Sequence, residues 1–592
     1  MPPSPPTTFE RDYWYHGVGG TLLARTSTFD FRTANTGNER TIGSIRFTNI
    51  GHHNVVSLWS GEVVRCLQRV LEEVRWERIY PIRTELVWPY NDDTLNDLRK
   101  RVVLIIEVPR GTVEFDEASA AALRCRMVLD IFKIVDVEVE IREINRQPYA
   151  MDVDLRDHIH KRNWALEDLP LSPLKISYET FLPALSNIGY EITPEFEKPW
   201  RYGTMGVHIR LSDRPSEFYG LTCRHVAHRP TAGLDLKSHE LWNWAPDRAK
   251  YLSDKDPAER HRIIQMCPNS LETLRFGVKT ELQDAERESR RLDMKRNKHS
   301  SDPSYPEPTE DEINLHARLR RAMPFVEEID AALSHDHIQE ADGRAIGHVA
   351  VMPPFEVSAK GFLRDWALIR LNEAKFNGNG EITNKIFVSK QATKDLRRGI
   401  RDHETLHGIR EHETLREMET FIEENRDGEG FIRLQGSSQA VSPNHDRKSM
   451  VVGKYGAASR LTFGVTNEIK AIVQVDQEQR LVGWEWIIVG LEPSVPFSKK
   501  GDSGAVVFNS SGSTVAVISV GDEDGSTARR LWTKHSDVGD ELSDDPGEGG
   551  MDQQSPADFE SYRINTDLTF ATPIDVILDD IKLITKSNVE II

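Results

Sequence analysis

Cysteine is scarce: Cys66, Cys125, Cys223 and Cys267 are the only four in 592 residues, far apart and without a CxxC pair. That excludes a disulfide framework and a cysteine-rich zinc site, and four reduced thiols are expected. Positive charge is in deficit, with 75 Lys and Arg against 94 Asp and Glu for a net charge of -19. A general nucleic-acid or anionic-membrane binder needs the opposite balance, so both classes are disfavoured. No stretch approaches the roughly 18 consecutive apolar residues of a membrane span. The start, MPPSPPTTFERDYWYH, lacks the basic lead and apolar core of a secretory signal. An intracellular, cytoplasmic chain is expected, with the nucleus as the alternative. What is present, 38% hydrophobic and 29% charged residues, describes a globular chain too long for one core.

Changes in pattern divide the chain. Residues 1–40 are Pro-rich and then Gly-punctuated, predicting a flexible leader with order from about Tyr13. Residues 41–150 predict an α/β domain: a helix from Glu62, strands over Ile79–Trp88 and Val102–Val108, a helix over Glu117–Phe132 and a strand over Val135–Ile144. Residues 151–199 read as a connector, and a β-rich domain runs from 200 to 592. Within it, 252–342 predicts an inserted helical hairpin broken at SSDPSYPEP, 391–425 a charged helical insertion, and 521–560 an acidic loop. The fold class is multidomain, with an α/β amino-terminal domain before an all-β double barrel.

Gly501-Asp502-Ser503-Gly504 precedes the apolar strand Ala505–Phe508. Serine is a weak nucleophile at neutral pH; it needs a base, a group to orient that base, and donors for the oxyanion formed on the attacked carbonyl. A glycine two residues earlier permits the turn that aims the amides of Gly501 and Ser503 at one point. Two further strings supply the remaining parts. Leu221-Thr222-Cys223-Arg224-His225-Val226 reads as a strand ending in a histidine, and Asp365-Trp366-Ala367-Leu368-Ile369-Arg370-Leu371 as a strand opening with an aspartate.

The order His, Asp, Ser in these contexts resembles the trypsin-like, chymotrypsin-fold serine peptidases over roughly residues 200–592. The resemblance implies that His225 is general base and then acid, that Asp365 holds its tautomer, that Ser503 attacks, and that Gly501 and Ser503 form the oxyanion hole. It implies that Phe497 floors the specificity pocket and that Ser519 and Gly521 line a bound protein or peptide backbone, with no metal and no cofactor. The 140 residues between His225 and Asp365 accommodate the hairpin, since surface loops tolerate long insertions. The segments Tyr13-Trp14-Tyr15-His16-Gly17 and Asp136–Glu140 are similar to parts of intracellular fungal proteins that carry such a domain, a likeness that conveys no mechanism.

The chain departs from the family in two respects. No cysteine neighbours Ser503, and no IVGG-like start precedes the β-rich domain, although zymogen-type members pair the aspartate matching Asp502 with a newly cut amino terminus. Asp502 therefore needs another partner, for which Lys499 and Lys500 are nearest in sequence. Two other readings compete: a peptidase fold retained for binding, with partner proteins meeting the helical insertion, and a zinc peptidase using the HExxH string His403-Glu404-His407. The flanks of that string, Arg401, Asp402 and Arg410, are charged, which favours a solvated helix.

Overall fold

The computed structural model describes residues 44–87, 100–144, 188–227, 262–388, 409–436, 449–521 and 568–592 with short interruptions, together with parts of 4–28 and 392–398. Strands β1 (Thr21–Arg25), β2 (Ser44–Thr48), β3 (Arg78–Val87), β4 (Lys100–Pro109) and β5 (Val137–Ile144) pair in the order β1-β5-β4-β3, with β2 on β3. β4 and β5 run parallel, Val102 opposite Val137, which requires a crossover. Helix Phe115–Ile131 provides it, with Asp116 and Glu117 in its first turn, where the backbone amides favour negative charge, and Ala118, Ala121, Ala122, Cys125 and Leu129 on its buried side. Alternate residues of β4 enter different cores. Leu104 and Ile106 pack with that helix, whereas Val103 and Ile105 join Tyr80, Ile82, Ile487 and Phe570.

Residues 1–40 contribute to the sheet: β1 closes its edge on β5, and Tyr15 is buried with its hydroxyl donating to Glu140 Oε1 at 2.7 Å. β1 was illegible because TLLAR is too short to show a period.

The β-rich part contributes β6 (Glu191–Pro194), β7 (Gly203–Thr204), β8 (His208–Leu211), β9 (Arg214–Thr222), β10 (Arg262–Gln265), β11 (Ala345–Val351) and β12 (Ala367–Leu371). Next come β13 (Lys385–Phe387), β14 (Phe431–Arg433), β15 (Val451–Gly456), β16 (Arg460–Thr466), β17 (Ala471–Asp476), β18 (Leu481–Gly490), β19 (Val506–Asn509), β20 (Thr514–Gly521), β21 (Leu568–Pro573) and β22 (Val589–Ile591). The first group, with β22, forms an antiparallel eight-stranded sheet in the order β22-β8-β9-β12-β11-β10-β6-β7. The strands β15, β16, β18, β21, β20 and β19 pair successively and β19 returns to β15, which closes an antiparallel barrel.

The amino-terminal sheet is not set apart from this barrel. β17 pairs with β18 on one side and with β3 on the other, Ile472 opposite Ile79, so the expected α/β domain shares one continuous sheet with the barrel. Neighbouring corrections have a common origin, which is that short strands embedded in polar sequence become visible only through their pairing partners. β6 lies inside the expected connector, and β10 lies inside the expected hairpin insertion, whose helices are Pro268–Ser301 and Glu310–Ser334. Helix Ile409–Asn425 is not a wholly solvated insertion: Leu415, Met418 and Ile422 are buried in the main core, where Phe421 packs near Phe508. Residues 522–567, which contain the expected acidic loop, and residues 399–408 lie outside the described residues. Among the described residues no helix is long and apolar enough to cross a membrane, and all four cysteines are free thiols.

Candidate active site

Register brings the first two groups together. β9 and β12 are antiparallel with Thr222 opposite Ala367, so residues just beyond the end of β9 face residues just before the start of β12. The strand stops short of the histidine. Arg224–Ala227 forms one helical turn in which the amides of Val226 and Ala227 both donate to the Cys223 carbonyl, and this turn swings His225 onto Asp365. Asp365 Oδ2 lies 2.6 Å from His225 Nδ1, and Oδ1 accepts the His225 backbone N–H at 3.1 Å. The chain on either side of Asp365 is anchored as well, since Arg364 and Trp366 donate to Asp580 of helix Ile574–Thr585 at 3.0 and 2.9 Å. Burial alone would raise the Asp365 carboxyl, but the imidazole, the His225 amide and Arg224 outweigh it and hold the group below the ordinary carboxylate range.

Ser503 arrives from the other sheet on a loop clamped by β7. Thr204 N–H donates to the Ser503 carbonyl and its hydroxyl donates to the Gly501 carbonyl, both at 2.8 Å. Gly501 and Gly504 take positive φ, +98° and +92°; a Cβ at the first would overlap the Tyr202 ring and at the second the Thr204 carbonyl. The Ile518 carbonyl ties the two halves of the site, accepting the Gly504 N–H at 2.9 Å and the Cys223 thiol at 3.0 Å. One acceptor thus serves the residue after Ser503 and the residue two before His225. The Ser503 hydroxyl donates to the Ser519 carbonyl at 3.3 Å, and the buried His225 Nε2 has no hydrogen-bond partner among the described residues. Among the described residues the amides of Gly501 and Ser503 donate to no acceptor.

The partner of Asp502 is Lys454 on β15, not the ammonium of Lys499 or Lys500. Lys454 Nζ lies 2.9 Å from Asp502 Oδ2 with both side chains fully buried. The carboxylate also accepts the amides of Ala458 (2.9 Å), Ser459 (3.1 Å) and Lys499 (2.9 Å) and the Ser459 hydroxyl (2.5 Å). Burial pushes Asp502 up, and Lys454 with these donors pushes it further down, so it stays ionised.

The expected pocket residues divide. Phe497 is completely buried among Val452, Trp486, Ile488 and Ala505, with no surface for a ligand; Gly464 leaves the room its ring fills. Ser519 does stand beside Ser503, but its hydroxyl is turned inward, 2.8 Å from Glu485 Oε1 and 3.1 Å from the Phe570 carbonyl. Gly521 ends β20 opposite Thr569, whose hydroxyl lies 2.6 Å from that of Ser498. Sequence reasoning missed Glu485, whose signal is one acid within the strand Trp484-Glu485-Trp486-Ile487-Ile488. The potential ligand atoms of Cys223, His225 and Asp365 converge within 4.8 Å. Burial, reinforced by Asp365, pushes the Cys223 thiol far up, so it is a hydrogen-bonding thiol and a poor metal ligand. His403, Glu404 and His407 lie outside the described residues.

No protein-family model matches this chain, and no curated protein matches its sequence.

Proposed function

We propose that the chain is a serine endopeptidase of the chymotrypsin fold, its eight-stranded sheet and its closed six-stranded ring serving as the two barrels. The observation that carries this reading is the His225–Asp365 pair at 2.6 Å, joined through the Ile518 carbonyl to the loop that bears Ser503. Ser503 Oγ attacks the peptide carbonyl while its proton passes to His225 Nε2, and Asp365 stabilises the imidazolium. The amides of Gly501 and Ser503 take the oxyanion. The leaving amine accepts the proton from Nε2; water, deprotonated by the same nitrogen, then attacks the acyl-serine, and Nε2 returns that proton to the departing Ser503 Oγ. Every proton moves among this chain, water and substrate, so the reading calls for no metal or organic cofactor.

A fluorophosphonate probe tests it. The wild type should label at Ser503, Ser503→Ala should not, and a zinc chelator should change nothing. Chelator-sensitive peptide hydrolysis without labelling would instead favour the HExxH string.

The second reading, a catalytically idle binding protein, draws on a specific feature: the Ser503 hydroxyl rests on Ser519 instead of His225. The helical hairpin supports it by exposing Phe276, Met294 and Ile313. Absence of labelling in folded wild type would favour this reading.

A further inference from the structure

Glu485 is 1% exposed and meets the site through Ser519. Its Oε1 accepts the Ser519 hydroxyl at 2.8 Å, and the Ser519 carbonyl in turn accepts the Ser503 hydroxyl. Its Oε2 faces Arg78 Nε at 3.5 Å, across the junction between β3 and the barrel. Arg78 lies with its guanidinium carbon 4.2 Å from the Phe570 ring centre, and Phe570 supplies the other carbonyl beside the Ser519 hydroxyl. A row of contacts thus runs from the amino-terminal sheet to the candidate nucleophile: Arg78, Glu485, Ser519, Ser503.

We propose that Glu485 is a positioning residue of the peptidase site and that Arg78 makes the amino-terminal sheet part of that site. The proposal rests on the serine-peptidase reading above. By holding the Ser519 side chain inward, Glu485 sets the carbonyl on which Ser503 rests and the strand β20 along which a substrate backbone would lie. Its charge also meets Asp365 and Cys223 across the site.

Charge balance decides what Glu485 does with pH. Arg78 stands between two buried carboxylates, and Glu107 holds the closer contact, 3.1 Å, with a further 2.7 Å bond from the Tyr80 hydroxyl. Glu485 is left with the longer ionic contact. Burial raises its carboxyl, Arg78 and the Ser519 hydroxyl offset only part of that, and Asp365 adds to the rise. The ionised form is the stronger acceptor for the Ser519 hydroxyl, and the protonated form loosens that hold. Labelling should therefore fall on the acid side as Glu485 takes up its proton.

The test measures the fluorophosphonate labelling rate of the full chain against pH, with the melting temperature recorded alongside. Glu485→Gln keeps the shape and an acceptor for Ser519 but cannot ionise, and it should lose the acid-side dependence assigned to Glu485. Arg78→Gln should move that limb to higher pH, since removing the nearby cation favours the protonated carboxyl. Glu485→Ala, which frees the Ser519 side chain, should label about 10- to 100-fold more slowly at every pH. If Glu485→Gln and Arg78→Gln fold and label with the wild-type pH profile, the inference is overturned while the peptidase reading stands. If the wild type fails to label, the peptidase reading fails first, and the inference with it.

Discussion

Lys454 neutralises Asp502 at 2.9 Å with both side chains fully buried, one residue before the candidate nucleophile. The loop that bears Gly501 and Ser503 is therefore anchored by an ammonium already present within the folded chain, so, on the proposed peptidase reading, the intact chain should label with fluorophosphonate without prior cleavage. Lys454→Met should cost about 3–5 kcal/mol because it strands a buried carboxylate. Adding Asp502→Asn should restore part of that loss. Denaturant unfolding of the two variants, with mass analysis of the labelled wild type, checks both statements.

Asp365→Asn keeps the side chain's size but offers an amide where His225 Nδ1–H needs an acceptor. If the site acts as proposed, labelling at neutral pH should fall by about 10³- to 10⁴-fold with little change in melting temperature. Stopped-flow or quenched labelling measures this directly.

Gly504→Ala places a methyl against the Thr204 carbonyl and the Thr222 hydroxyl at a φ of +92°. Both the left-handed backbone and the overlap oppose it, so the variant should lose about 2–4 kcal/mol, more than a surface Gly→Ala change. Equilibrium unfolding against Gly428→Ala, where a Cβ meets nothing within 4 Å, provides the comparison.

His208 gives the fold a calculable response to acid. Its ring is fully buried beside Phe376, with Nδ1–H donating to the Thr383 carbonyl, and burial pulls its pKa down to about 4. Unfolded, it titrates near 6.5. Between those values the unfolded chain holds the extra proton, so stability falls as pH is lowered, by about 3 kcal/mol in all from this one group. His208→Gln should remove that part of the slope between pH 6.5 and 4 in urea titrations, whatever it does to stability at pH 7.

Phe497→Ala distinguishes a core residue from a pocket floor. With the ring fully buried, truncation should cost about 3–5 kcal/mol. A change in peptide preference without that loss would restore Phe497 to the substrate site.

The local chemistry was legible because it is written in contiguous residues. Gly-Asp-Ser-Gly states its own turn, and the helix Phe115–Ile131 and strand β4 declare themselves by spacing and by an unbroken apolar run. Strands β1, β6 and β10 were not legible, since four or five residues cannot display a period and their identity lies in the strands they pair with. Lys454 and Glu485 were hidden for a related reason. A charged residue within a strand can face solvent or a buried partner, and only the partner's position decides which.

By itself the sequence determined the types and the chain order of the groups: a histidine, an aspartate and a Gly-flanked serine, each at the margin of an apolar strand. Tertiary structure alone decided that Asp502 would be paired by Lys454, that Phe497 would fill a core, and that the amino-terminal sheet would reach the site through Arg78. The reason is physical: turn and strand preferences act over a few neighbouring residues, whereas the neutralisation of a buried charge depends on groups that folding brings together from far along the chain, 48 positions for Lys454 and Asp502 and 407 for Arg78 and Glu485.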